Sequence, residues 1–65
     1  MTPTEAAIYD YLIAYNSIYK KLPTNKELAY QFEVDRTVMN KHLLSLVKQG
    51  HLERIQDVQW YKIKD

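Results

Sequence analysis

Two segments of the chain carry the same signal for the start of an α-helix, and this repeat restricts the possible folds more than any other feature. Thr2-Pro3-Thr4-Glu5 combines a capping threonine, a proline at the first helical position and a glutamate three residues after the cap. Thr24-Asn25-Lys26-Glu27 repeats the threonine and the glutamate at the same spacing. We therefore predict one helix of about four turns from Thr2, ending before Leu22-Pro23, and a second, shorter helix from Thr24.

A third helix is predicted from Arg36 to Gln49. Asp35 has the side chain of an N-cap residue, and Gly50 supplies the left-handed residue that commonly follows the end of a helix. Four apolar positions trace one face of this segment: Met39, Leu43, Leu46 and Val47. The turn between the second and third helices is about three residues long, which is typical of helix-turn-helix motifs.

After the third helix the pattern changes from helical to extended. Leu52–Ile55 and Val58–Ile63 are rich in β-branched and aromatic residues, and Gln56-Asp57 lies between them as a tight turn. We expect Tyr61 and Ile63 to face inward. The predicted fold is therefore mainly α with a small β-hairpin. Three helices followed by a hairpin, or wing, is the winged helix-turn-helix arrangement.

The size and composition of the chain exclude several classes of function. At 65 residues it is too short for two domains, so we expect a single domain over residues 1–65. A core of this size leaves no room for a deep cavity, and we expect no small-molecule ligand. The absence of cysteine excludes disulfides, thiolate zinc sites and thiol nucleophiles. The longest uncharged stretch is about half of a bilayer span, so we expect a cytoplasmic protein without membrane contact. The winged helix-turn-helix arrangement, which is typical of DNA-binding domains, adds the expectation that the protein is nucleoid-associated.

The sequence offers no constellation typical of an enzyme or a metalloprotein. His42 and His51 lack the further ligands that a metal ion needs, and His42 is better explained as a residue at the edge of the core. Ser17 and Ser45 have no adjacent base in any motif, and Gly50 alone cannot build a phosphate-binding loop. We therefore expect no catalytic residue, no metal and no cofactor.

Charge is distributed unevenly, although the formal net charge is only +1. Residues 20–50 contain six basic residues against three acidic ones, which predicts an anion-binding surface in the middle of the chain. The residues that we expect to contact DNA phosphate are Lys20, Lys21, Lys26, Arg36, Ser45, Lys48 and Arg54. For Lys20 and Lys21 an equally good interpretation is that they neutralise the negative end of the first helix.

The outward face of the third helix has side chains that can read bases. A helical projection places five residues opposite the apolar face: Thr37, Lys41, Leu44, Ser45 and Lys48. Asn40, on the flank, has the donor and the acceptor that pair with adenine, and Lys41 can reach guanine or phosphate. Val38 or Leu44 can contact a thymine methyl group. The alternative is an ordinary solvated face with two lysines.

Several segments resemble one family of proteins. Phe32–Leu43 reads F-E-V-D-R-T-V-M-N-K-H-L and resembles the family run L-G-V-S-R-S-T-V-S-R-H-L position by position. Thr2-Pro3 with Ile8–Leu12, and Leu22-Pro23-Thr24 with Glu27–Ala29, resemble the opening and the second helix of that family. On these residues the chain is similar to the winged-helix DNA-binding domains of bacterial repressors, in particular the N-terminal domain of LexA-type repressors.

The resemblance implies a function in transcription. It implies that the third helix enters the major groove of duplex DNA in a small bacterial or phage regulator, such as a repressor. The base-facing positions of the family fall on Thr37, Val38, Asn40 and Lys41. Glu33 stands where the family has a turn glycine, and the predicted wing tip, Gln56-Asp57, has no basic residue.

The six tyrosines favour a second kind of partner. Three of them are predicted to belong to the core: Tyr11, Tyr15 and Tyr19. Tyr9 and Ile13 widen the apolar arc of the first helix, and with Trp60 on the outer strand they form a candidate patch for a weak homodimer or for pairing on DNA. The competing hypothesis for function is a winged-helix module that holds another protein through this surface and Leu44.

Overall fold

The computed structural model describes residues 1–54 and 61–64 and contains three helices followed by a two-stranded antiparallel sheet. The elements are α1 (Pro3–Tyr19), α2 (Asn25–Gln31), α3 (Arg36–Lys48), β1 (Leu52–Arg54) and β2 (Tyr61–Ile63). In the sheet Leu52 pairs with Ile63 and Arg54 with Tyr61. The predicted order of elements, mainly helical with a small antiparallel sheet, is confirmed. The predicted turn Gln56-Asp57, and Trp60, lie outside the described residues.

The two threonine caps form as predicted, but only the first has the complete reciprocal bonding. At α1 the Thr2 hydroxyl accepts from the Glu5 N–H at 3.1 Å, and Glu5 Oε1 accepts from the Thr2 N–H at 3.0 Å. At α2 the Thr24 hydroxyl accepts from the Glu27 N–H at 3.1 Å. The Glu27 carboxylate instead accepts from the Tyr15 hydroxyl at 3.1 Å, because α1 packs beside it. At α2, therefore, the threonine cap forms, whereas the Glu27 carboxylate bonds to Tyr15 instead of to the Thr24 N–H.

Both ends of α3 lie close to where the sequence predicts them, but the side-chain cap expected at its first residue does not form. Asp35 is the N-cap residue, but its side chain makes no capping hydrogen bond. At the other end Gly50 has φ of 85°, and the N–H groups of Gly50 and His51 reach back to the carbonyl groups of Val47 and Leu46 at 3.0 Å. These two bonds are the Schellman motif that a left-handed residue permits.

The turn between α2 and α3 uses the same motif without a glycine. Glu33 has φ of 56°, its N–H donates to the Tyr30 carbonyl, and the Val34 N–H donates to the Ala29 carbonyl at 3.0 Å. A left-handed conformation costs a side-chain-bearing residue free energy that glycine does not lose. Glu33 therefore carries backbone strain at the position where the resembled family has glycine.

The core lies between the three helices and the sheet. Its buried residues are Ile8, Leu12, Leu22, Leu28, Ala29, Met39, Leu43, Leu46, Leu52 and Tyr61. The inward orientation predicted for Tyr61 is confirmed, and Ile63 is half-buried against the core. The core position predicted for Tyr19 is wrong, since every residue from 16 to 21 is exposed and the Tyr19 ring lies against Tyr15 at 4.6 Å between centroids. The last turn of α1 extends beyond the core.

Candidate nucleic-acid interface

The outward face of α3 is a polar stripe opposite the core. Met39, Leu43 and Leu46 fix the buried side of the helix, because all three are almost fully enclosed. On the opposite side Thr37, Lys41 and Lys48 are exposed and Leu44 is half-buried. We call these four residues the α3 stripe. Val38 is also exposed, beside the stripe. These are side chains that a surface approaching α3 would meet first.

Asn40 is held inside the structure rather than presented on the stripe. Its Oδ1 accepts from the Asn25 Nδ2 at 3.2 Å and from the Tyr61 hydroxyl at 3.1 Å. The residue is half-buried, and these two bonds join α3 to α2 and to β2. Pairing with adenine needs the same oxygen as an acceptor for the N6 amino group. The structure therefore assigns Asn40 to a network that ties three elements together, a role that the sequence analysis missed.

Ser45 is also drawn into an internal contact. The Gln49 Nε2 donates to the Ser45 hydroxyl at 2.9 Å and to Glu5 Oε1 at 3.1 Å. Glu5 is 7% exposed and also accepts from the Thr2 backbone. We call Thr2, Glu5, Ser45 and Gln49 the Glu5 seam, because they join the start of α1 to the end of α3. Ser45, predicted as a phosphate contact, belongs to this seam and not to the exposed stripe.

The donors of the Glu5 seam stabilise its negative charge. Hydrogen bonds from the Thr2 backbone, the Ser45 hydroxyl and the Gln49 amide lower the pKa of Glu5 from 4.5 to about 2. A carboxylate that accepts several hydrogen bonds in its ionised form resists protonation. At neutral pH Glu5 is thus a buried anion with its hydrogen bonds made inside the protein.

An open groove of about 850 Å³ lies between the first turns of α2 and α3. Its apolar lining comes from core leucines: Leu12, Leu22, Leu28 and Leu43. Lys21, Lys26 and Arg36 line it as well, and all three are exposed. We call this feature the α2–α3 groove. The sequence analysis did not expect a space of this size, because the groove forms on the surface where helices diverge and not inside the core.

The cations of the α2–α3 groove form no salt bridge with a carboxylate among the residues that the structure describes. Within residues 1–54 and 61–64 the structure contains one salt bridge, between Lys62 and Glu53 at 3.5 Å. Lys21, Lys26 and Arg36 therefore keep their charge for solvent or a ligand. Of the other predicted phosphate contacts, Lys20, Lys48 and Arg54 are exposed, but none of them lines this groove.

Lys20 has a structural role that fits its alternative interpretation. It is the C-cap of α1, with φ of 59°, and its N–H donates to the Asn16 carbonyl at 2.9 Å. Its positive side chain therefore stands at the negative end of α1.

The tyrosines of α1 form a row along the helix. Ring centroids are 6.0 Å apart for Tyr11 and Tyr15, and Phe32 meets Tyr11 edge-on at 5.7 Å. Partial burial and the hydrogen bond to Glu27 raise the pKa of Tyr15. The predicted association patch is only partly free, since the Tyr9 ring lies 5.5 Å from the His51 ring. Ile13 is exposed.

Other kinds of site find no support in the part of the chain that the structure describes. There, no three side chains of the metal-binding types lie close enough together to hold an ion. Among the same residues no helix has both the length and the apolar character needed to span a bilayer. No protein-family model matches the chain, and no curated protein or solved structure matches it either.

Proposed function

We propose that this chain is a winged helix-turn-helix domain that binds duplex DNA sequence-specifically and regulates transcription in a bacterium or a phage. The order of the elements supports this proposal. Phe32–Asp35 is a four-residue connection between α2 and α3, and a two-stranded antiparallel sheet follows α3. In domains of this architecture the helix after the short turn reads the major groove.

The observation that carries the proposal is that Thr37, at the first turn of the α3 stripe, lies beside the exposed cations of the α2–α3 groove. Thr37 and Lys41 are exposed on α3, and Thr37 also lines the groove that Lys21, Lys26 and Arg36 border. A groove-reading protein needs hydrogen-bonding side chains toward the bases and cations beside them for phosphate. Thr37 lies beside these cations, and Lys41 follows it one turn later on the exposed face of α3.

The structure supports a division of roles among these residues. Thr37 and Lys41 are the polar groups available to base edges, and Val38 is available to a thymine methyl group. Lys21, Lys26 and Arg36 are available to phosphate oxygens. Asn40 acts as a positioning residue in this scheme, because its bonds to Asn25 and Tyr61 fix α3 against α2 and the sheet.

Titration of the chain into fluorescent random duplex DNA at several low salt concentrations tests this function. We expect binding that weakens linearly in log affinity against log salt, and Lys26→Ala should reduce that slope by about one unit. Lys64→Ala, which removes an exposed cation just after β2, is the control for net charge. Absence of binding at low salt would contradict the proposal.

Specificity requires a second step. Selection from a random pool should yield a cognate site, and Lys41→Ala should weaken binding to it by ~1 to 3 kcal/mol while leaving random duplex less affected. Equal losses on both kinds of DNA would mean that Lys41 contacts only the backbone.

A second candidate function is favoured by the exposed end of α1. Ile18 and Tyr19 are 70% and 58% exposed, and Tyr30 of α2 is 85% exposed. Large exposed apolar side chains are typical of surfaces that hold another protein. A folded chain that fails to bind duplex at low salt would favour this protein-interaction module over the DNA-binding domain.

A further inference from the structure

A second open groove lies between the C-terminal half of α1 and β2. Four exposed residues belong to its lining: Ile13, Ser17, Lys20 and Lys62. Ile13 is 40% exposed, so a surface that approaches the groove can contact it, and Ile63 lies half-buried at the β2 side. We call this feature the α1–β2 groove. None of the described residues that line it is acidic, so it presents an apolar strip beside positive charge.

Lys20 is the cation of this groove that is available to a partner. Lys62 pairs with Glu53 at 3.5 Å, and Lys21, which lines both grooves, is assigned to phosphate in the function proposed above. Lys20 is exposed and forms no salt bridge among the residues that the structure describes. A partner that fits the groove therefore brings a carboxylate to Lys20 and an apolar side chain to Ile13.

The exposed surface of α1 carries both of these groups itself. Asp10 is exposed and forms no salt bridge within residues 1–54 and 61–64. It precedes Ile13 by three residues, so the two side chains are neighbours on one face of the helix. Residues 1–19 contain no basic side chain that could neutralise Asp10. Along α1 a free carboxylate is thus followed by an exposed isoleucine and then by a free lysine.

We propose that two copies of this chain associate through α1, with the two helices antiparallel and Asp10 of each copy at Lys20 of the other. Asp10 and Lys20 are ten residues apart, which is about 15 Å along a helix. A two-fold axis midway between them brings both ion pairs into register at once. One exposed face then supplies both halves of the interface, as a two-fold contact requires.

The apolar contact falls at the centre of the same arrangement. Ile13 lies two residues from the midpoint, so the two copies of Ile13 are about 6 Å apart along the helices. Ala14 and Ser17 are exposed and small, which allows the two helices to approach closely. The interface therefore has an apolar centre between two ion pairs.

This interface keeps one residue of the association patch predicted from the sequence and relocates the rest. Ile13 remains, whereas the Tyr9 ring lies against His51 and Trp60 is outside the described residues. The inference goes beyond the proposed function and does not depend on it. If the chain also binds DNA, the dimer presents two copies of α3 related by a two-fold axis, which suits a palindromic site.

The test is sedimentation equilibrium of the chain at low salt, at concentrations up to about 1 mM, where we expect a monomer–dimer equilibrium. Asp10→Lys and Lys20→Asp each place like charges at both contacts and should raise the dimer Kd about tenfold. The double variant Asp10→Lys/Lys20→Asp has the net charge of the original chain and restores both pairs. Its Kd should lie within about twofold of the original value. An equimolar mixture of the two single variants should associate equally well, because the mixed dimer also restores both pairs.

Two control variants distinguish this interface from other surfaces. Lys48→Asp changes the net charge as Lys20→Asp does, but in the last turn of α3, and should change the Kd by less than about twofold. Ile13→Ser should raise the Kd about fivefold through loss of the apolar contact. Ile18→Ser, at the isoleucine of α1 that is 70% exposed and lies outside the groove, should leave the Kd almost unchanged.

Four results would overturn the inference. A chain that stays monomeric up to about 1 mM at low salt would show that the interface does not form. No recovery in the double variant or in the mixture would show that Asp10 and Lys20 do not meet. Equal losses in Lys48→Asp and Lys20→Asp would show that only net charge matters, and a larger loss in Ile18→Ser than in Ile13→Ser would place the dimer elsewhere on α1. Circular dichroism of each variant verifies its fold.

Discussion

The Glu5 seam and the α2–α3 groove lie at opposite ends of α3. Charge is buried and hydrogen-bonded in the seam, whereas it is exposed to solvent in the groove. In the seam a buried carboxylate accepts hydrogen bonds from Thr2 and Gln49, and these bonds lower its pKa. In the groove Lys21, Lys26 and Arg36 are exposed, and within residues 1–54 and 61–64 none of them forms a salt bridge. Burying a charge is tolerated only when its partners are built into the fold. The seam is therefore a structural device, and the groove is the region with charge to offer a ligand.

Asn40 shows that the groove also contains a polar side chain that is bonded inside the protein. It lines the groove, but its oxygen is occupied by Asn25 and Tyr61. The groove therefore has a structural floor, which contains Asn40, and a rim of exposed cations. Substitutions of Asn40 and of exposed residues can therefore distinguish the structural part of the groove from the part that is available to a ligand.

The largest expected effect is that of Asn40→Ala on stability. Removal of the amide takes an acceptor away from the Tyr61 hydroxyl, in a residue that is 5% exposed, and from Asn25. The free energy of unfolding should fall by about 1 to 3 kcal/mol, the contribution of the two hydrogen bonds that are lost. Urea denaturation measures it. Thr37→Ala, on the exposed stripe of the same helix, should stay within about 0.5 kcal/mol. Equal effects of the two substitutions would show that the hydrogen bonds of Asn40 do not stabilise the fold.

Lowering the pH should reduce the stability that the Glu5 seam gives to the folded state. Because the pKa of Glu5 is lowered from 4.5 to about 2, the folded state resists protonation more than the unfolded state does. The stabilising contribution is complete above pH 4.5 and is lost as the pH falls toward 2. Glu5→Gln should flatten this part of the pH profile of thermal unfolding. Glu53→Gln, at an exposed carboxylate of β1, should leave the profile between these pH values steep. The same steepness in Glu5→Gln would contradict the account of the seam.

The smallest effect is expected in the turn that leads into the groove-forming end of α3. Glu33→Gly removes the cost of a left-handed side-chain-bearing residue but adds the backbone entropy of glycine. We expect a net gain in unfolding free energy of up to about 1 kcal/mol. Ala14→Gly, at an exposed position inside α1, should instead lose about 1 kcal/mol. A loss in both variants would show that Glu33 is not strained.

The sequence predicted those features that depend on neighbouring residues. The Thr2 cap, the Gly50 motif and the buried face of α3 follow from local chemistry and periodicity, and all three are present. The partner of Glu27 could not be predicted in this way, because Tyr15 reaches it only once α1 docks against α2.

The contacts of the candidate site that the sequence analysis did not foresee also depend on distant segments of the chain. Asn40 and Ser45 lie on the two flanks of α3, where a helical projection cannot distinguish solvent from a neighbouring element. Tyr61, which follows Asn40 by 21 residues, supplies one of the donors to its oxygen. Glu5, at the opposite end of the chain, draws Ser45 into the seam. Only the packing of distant segments decides these assignments.

The most direct test of the central claim is to map amide shifts of the ¹⁵N-labelled chain on addition of duplex DNA at low salt. The account predicts the largest shifts at Lys26, Arg36, Thr37 and Lys41, with Glu5 and Gln49 almost unchanged. That result would place DNA at the exposed cations of the α2–α3 groove. Shifts centred on the Glu5 seam or on Ile18 and Tyr19, or no shifts at all, would contradict it.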